Sequence, residues 1–225
     1  GNNESTKKTV NLVIKNNCSL DMSKAKDSGI VYAPNNILAD STISVLDSVL
    51  TPYAGQDAYK NKAANFEAAV YMAGKGYFKL EEAVSVANNS EEDVTITMLK
   101  NTEIAEDISV DNINGKKITF DGCNKTLVTN KKIVVNQKSG TMEFINMKIE
   151  HGGTDTVLRI GDKEATYEEK LTVNLNDFDI TSESECKFGL IQAGYGTMAL
   201  DLNMTDVDIV WNTTAEVQKG AILAG

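Results

Sequence analysis

His151 is the only histidine in this sequence and Arg159 the only arginine, so chemistry that needs either has one place to happen. Hydrolysis of a glycosidic bond takes two carboxylates on opposite sides of that bond, and no Asp-Asp pair precedes His151. A single histidine in a glycine-rich loop, His151-Gly152-Gly153, reads as a solvated side chain. Arg159 offers bidentate recognition of a carboxylate at one position, too little for a cluster that grips a polyanionic chain. Elimination beside a uronate would use a basic residue, with carboxylates holding calcium against the sugar acid. The candidates are Asp177 and Asp179 and, one repeat later, Asp206 and Asp208. Residues two apart in a strand share a face, so the two pairs would stack into a ladder offering oxygens to calcium. The competing and more economical reading is a set of outward, solvated acids that keep strand edges from pairing. Tyr195, in Gly194-Tyr195-Gly196, and Trp211, just after Val207–Val210, could stack on sugar faces; Trp211 could equally pack at a corner of the fold.

Bulk composition narrows the partners. The chain has 225 residues, 41% of them apolar, and a net charge of −10. It is long enough to bury a core, and its acidity argues against nucleic acid or an anionic membrane. No apolar run reaches the ~18 residues that span a bilayer. Cys18, Cys123 and Cys186 are far apart and form no Cys-x-x-Cys pair. They read as small buried residues rather than a zinc site, although one disulfide could form. Sequons at Asn17, Asn124, Asn203 and Asn212 carry little weight in a chain so rich in Asn, Ser and Thr. The opening Gly1-Asn2-Asn3-Glu4-Ser5-Thr6 reads as a polar tether downstream of a removed secretion signal or lipid anchor.

These residues need a scaffold, and the periodicity supplies one after Ser90. Before it, Val10, Leu12 and Ile14 alternate as in a half-buried strand. Ile30–Ala33 reads as a strand, Ile43–Leu50 as strand or short helix, and Thr51–Gly55 as a break, so residues 1–62 form an N-terminal region of uncertain fold. From Ala63 to Ala73 the composition favours helix. Leu80, Val84 and Ala87 then recur at helical spacing as a short amphipathic helix. Beyond Ser90, short β-type runs come in threes, for example Ile118–Phe120, Thr126–Val128 and Ile133–Val135. Val94–Leu99 and Ile108–Val110 look like an incomplete first set.

One column tests the repeat: Phe120, Phe144, Leu175 and Leu202 are separated by 24, 31 and 27 residues. Such a period, from a unit too small to bury its own core, marks a solenoid. The expected fold is a mainly β, right-handed single-stranded parallel β-helix over residues 63–225, with three strands per coil and capping helices at its start. Asp121, Asn146 and Asp177 follow the first strand of successive sets, where Asn and Asp satisfy turns and tolerate left-handed backbone. An antiparallel sandwich would need regular two-residue hairpins, and only Asn114-Gly115 offers one. Ala221–Ala224 completes a coil without a polar cap, which predicts an end covered by another chain or by further sequence.

The order Tyr77–Val84, Val94–Lys100, Lys117–Gly122 resembles the opening of pectin-lyase-like β-helix proteins of bacterial surfaces, in which a short helix caps the first coil and a strand ending in Asp-Gly follows. The resemblance covers about residues 76–225 and implies the fold more than an activity. Polygalacturonase-type members carry Asn-x-Asp, Asp-Asp, Gly-His-Gly and Arg-x-Lys in that order; His151-Gly152-Gly153 and Arg159-Ile160-Gly161 match this superficially. The expected function is therefore an extracellular or surface-anchored, non-catalytic adhesin-like module that binds polysaccharide or host glycan. The alternative is a fragment of a polysaccharide lyase or glycoside hydrolase.

Overall fold

The computed structural model describes residues 9–26, 30–32, 41–55, 58–60, 67–162, 166–214 and 220–224. It divides into two compact units, Gly1–Phe78 and Lys79–Gly225.

The first unit is itself built of stacked coils. Strands β1 (Asn11–Ile14), β2 (Ser19–Asp21) and β3 (Val31–Tyr32) make one coil, and β4 (Thr42–Val45), β5 (Val49–Thr51) and β6 (Tyr59–Lys60) the next. Each pairs in parallel with its counterpart: Asn11 with Thr42, Ser19 with Val49, Val31 with Tyr59. Ile43 sits at the centre, packed by Leu12, Val31, Val45, Leu50 and Ala58. The stretch that composition assigns to helix is not helical where it is described. β7 (Val70–Met72) and β8 (Lys75–Tyr77) form an antiparallel hairpin, and residues 63–66 lie outside the described residues. Two features override helix propensity here. Ala73 and Gly74 take φ of +48° and +85°, the left-handed pair that a tight hairpin requires. Val70 and Met72 alternate into the core while Tyr71 faces outward.

The second unit opens with helix α1 (Leu80–Ala87), which buries Leu80, Ala83, Val84 and Ala87 over the first coil of a parallel solenoid. Two asparagines fasten it there. Asn88 Nδ2 donates to the Ser109 carbonyl, and Asn112 Nδ2 to those of Ala87 and Ser90. The first coil is β9 (Val94–Met98), β10 (Thr102–Ile104) and β11 (Ile108–Val110); β10 is the member that the apolar pattern leaves out, because only Ile104 in it is large and apolar. The next coils pair one long bent strand with one short one: β12 (Ile118–Thr129) with β13 (Ile133–Val135), β14 (Gly140–His151) with β15 (Leu158–Ile160), β16 (Thr166–Ser182) with β17 (Ile191–Ala193), and β18 (Thr197–Trp211) with β19 (Ile222–Ala224). All stack parallel and in sequence order.

Register defines the core. Phe120 lies on Phe144 at 5.2 Å with the rings 14° apart, and Phe178 meets Phe144 edge-on at 5.7 Å. The column runs Phe120, Phe144, Leu175 and on to Met204; Leu202 pairs with Val173 instead. Spacing alone places Leu202 one inward position too early, since the loop between the two strands can absorb the two residues. On the other wall, Ile108, Ile133, Leu158, Ile191 and Ile222 form an aliphatic ladder. Asn146, Asp177 and Asp206, at φ of +51°, +49° and +50°, make the bend in each long strand. In β12 Cys123 and Asn124 take that left-handed conformation, not Asp121, whose Oδ1 accepts the Cys123 N–H. Gly122 is required there, because a Cβ would strike the Asn146 carbonyl and the Met147 backbone of the next coil.

Candidate functional site

Stacking turns sequence distance into adjacency between coils. Asp179 and Asp208 are register partners, with Lys148 on the far side of Asp179. Asp177 and Asp206 occupy the same left-handed corner on successive coils. Sharing of a face by residues two apart holds for a continuous extended strand, and the corner at Asp177 interrupts that strand. What meets is therefore like with like across coils, two pairs of carboxylates one strand spacing apart. Asp177, Asp206 and Asp208 are exposed and Asp179 is half-buried. Among the described residues no group of three or more His, Cys, Asp or Glu side chains comes together as a metal-binding set.

Tyr195 and Trp211 go to different places. The Tyr195 N–H donates to the Ile160 carbonyl at 2.9 Å, and its ring lies under the guanidinium of Arg159, 5.2 Å from Cζ to centroid. Trp211 ends the corner column Thr129–His151–Ser182–Trp211. Its indole N–H donates to the Ser184 carbonyl at 2.8 Å. That is corner packing of a half-buried ring whose polar edge is already engaged.

His151 is not the solvated loop residue its glycine neighbours suggest. It is the last residue of β14, only 4% exposed, with Nε2 at 2.8 Å from the Asp155 carbonyl. A carbonyl can only accept, so Nε2 carries the proton, and Nδ1 is buried without a hydrogen-bond partner. The Cys186 thiol lies in the same corner and donates to the Gly153 carbonyl at 3.5 Å. Burial pushes that thiol up, helped by the nearby Asp155 charge and opposed by a Ser182 hydrogen bond. A protonated, buried thiol is a poor nucleophile. Burial also raises the Asp155 carboxyl, but the Lys132 ammonium at 2.8 Å, the Thr156 N–H and the Arg159 charge together hold it below the usual carboxylate range. Imidazole, thiol and ion pair thus anchor the turn between the two walls. All three cysteines are thiols.

A feature that apolar periodicity does not reveal lies on the outward face of the first half of each long strand. Asn203 Nδ2 donates to Asn174 Oδ1 at 2.9 Å. Asn174 Nδ2 in turn donates to Glu143 Oε1 at 3.3 Å, and Thr119 Oγ1 to Glu143 Oε2 at 3.3 Å. Lys117 Nζ closes on the same carboxylate at 2.7 Å. The Lys117 hydrogen bond outweighs partial burial and, with Asn174 and Thr119, holds the Glu143 carboxyl below its ordinary range. The sequence signal is polar identity at the register position between two inward residues, at separations of 24, 31 and 29.

Among the described residues no helix is long and apolar enough to cross a membrane. Compared with known proteins, the chain matches no family model, and no similar protein is found among curated sequences or solved structures.

Proposed function

We propose that this chain is a non-catalytic module of an extracellular or surface-anchored bacterial protein of the pectin-lyase-like β-helix type, binding glycan in the manner of an adhesin. The observation that carries this reading is the polar ladder Glu143–Asn174–Asn203 along stacked parallel strands, closed at one end by the buried Thr119. Sugars are recognised through pairs of hydroxyls, and carboxylate and amide side chains are the groups that accept from and donate to such pairs. Parallel strands repeat those groups every ~4.8 Å along the axis. A polymer lying along the solenoid would therefore meet similar groups at each step. The Asp179–Asp208 pair lies on the adjoining face of the same strands and would serve the same ligand, with or without calcium.

The test is incubation of the purified protein with a panel of plant and host polysaccharides, with and without calcium, recording both retention and product release. Retention without release supports the reading. Release of unsaturated or reducing sugars would replace it with a lyase or hydrolase and direct attention to Asp177, Asp179, Asp206 and Asp208. No retention of any glycan would leave a structural stalk.

A further inference from the structure

We infer that Arg159 and Tyr195 form a binding site for a single carboxylate group carried on a sugar ring, placed on the wall made by β13, β15 and β17. This rests on the glycan-binding reading and adds to it the charge of one sugar unit and where that unit docks.

The residues that make the site are the one guanidinium in the sequence and the aromatic ring beneath it. Arg159 points outward from the middle of β15. Its register neighbours are Val134, 6% exposed, and Gln192, 9% exposed. The strand neighbours of Arg159 are thus one apolar and one amide-bearing residue, and a face of its guanidinium is covered by Tyr195. Among the described residues it makes no ion pair. Asp155 feels its charge, but that carboxylate is bound to Lys132 at 2.8 Å. Arg159 Nε is buried without an acceptor, while the residue as a whole is only half-buried, so part of the side chain meets solvent.

An arginine held in this way is preorganised. Stacking fixes the plane of the fork, and the partly apolar surroundings strengthen any charge-assisted hydrogen bond it makes. The planar pair of Nη donors fits the two oxygens of a carboxylate. Hydroxyls of neutral sugars can accept from the fork but bring no charge to pair with it, so the charge-assisted bond needs a carboxylate. A polymer with a carboxylate on every unit would meet the surrounding acids of a chain of net charge −10. The ligand chemistry that remains is one acidic sugar within a largely neutral glycan, or at its end.

Glucuronate and glucose, titrated separately into the isotopically labelled protein and followed by backbone amide shifts, test this. Glucuronate should give saturable shifts at Arg159, Ile160 and Tyr195, and glucose none there. Arg159→Gln should abolish the effect, and Arg159→Lys, which keeps the charge and guards against a folding defect, should weaken it by about tenfold. Absence of glucuronate shifts, or shifts of equal size in Arg159→Gln, would overturn the site. Retention of a uronate-bearing polysaccharide undiminished by Arg159→Gln would overturn it while leaving the glycan-binding reading in place. Failure of every glycan to bind would overturn both.

Discussion

Asn174 receives a hydrogen bond from Asn203 on one neighbouring coil and gives one to Glu143 on the other, at 2.9 and 3.3 Å. A side-chain amide can do this because it carries both a donor and an acceptor. In a parallel, in-register stack the direction of bonding is then passed from coil to coil. Glu143 ends the series, since its carboxylate only accepts, and there Lys117 supplies the compensating charge.

Replacing Asn174 with Leu breaks the ladder on both sides, leaving a Glu143 oxygen and an Asn203 donor unmatched. The expected cost is about 1–2 kcal/mol, kept low because both partners are within reach of water. Asn174→Asp should cost at least as much at neutral pH, because it sets a second carboxylate against Glu143. Urea unfolding midpoints decide this: a Leu variant as stable as the parent would mean that the ladder is incidental.

Glu143 also makes stability depend on pH. Its folded pKa lies below the ordinary value of 4.5, so the folded state favours the ionised form. The contribution is therefore fully present above about pH 4.5 and is lost as pH falls through the lower folded value. Glu143 is 21% exposed and Lys117 39%, so solvent screening keeps the contribution to about 1 kcal/mol or less. Glu143→Gln should flatten the acid limb of the stability curve in that window and leave its shape at neutral pH unchanged. An identical acid limb in parent and variant would contradict the assignment.

The aspartates at the bends give a sharper contrast. Asp177 sits at φ +49°, a conformation that glycine adopts freely and β-branched residues resist. Asp177→Gly should be nearly neutral, whereas Asp177→Val should cost about 1–2 kcal/mol. Asp179→Ala, in extended backbone two residues on, should change stability by less than about 0.5 kcal/mol. Equal effects of Val and Gly at position 177 would remove the turn from the explanation of why an acid stands there.

The solenoid is legible in the sequence because its core is written as repeated apolar triplets; Phe120, Phe144 and Leu175 declare a column without any structure. Exact register is not legible, as the choice between Leu202 and Met204 shows, because loops of unequal length intervene and both residues are apolar. Residues 11–60 conceal two coils for a related reason. β3 and β6 are two residues long, too short to show a period of any kind. Of the candidate site, Asp179 and Asp208 are neighbours as the repeat implies. The meeting of Arg159 with Tyr195 lies beyond periodicity, since it depends on how the chain leaves β17 through Gly194 at φ +77°. His151 misleads for the opposite reason: its glycine neighbours suggest a loop, but the long strand runs on to include it.

The corner around His151 sets the reactivity of one thiol apart from the other two. Cys18 and Cys123 are exposed, while Cys186 is 2% exposed, with its Sγ directed at the Gly153 carbonyl and its pKa raised by burial. Reaction with a maleimide requires the thiolate and a clear approach, and Cys186 has neither. In the folded protein at neutral pH two cysteines should label within minutes and the third only as fast as the corner opens. Denaturant should bring all three to the same rate. Peptide mass spectrometry identifies the slow position. Cys186→Ser would keep a donor for Gly153 at a modest cost in stability, whereas Cys186→Asp would bring a charge beside Asp155 and the buried imidazole and cost several kcal/mol. Fast labelling of Cys186 in the native state would mean that the corner is open, and the account of His151 as a buried anchor of the turn would fall with it.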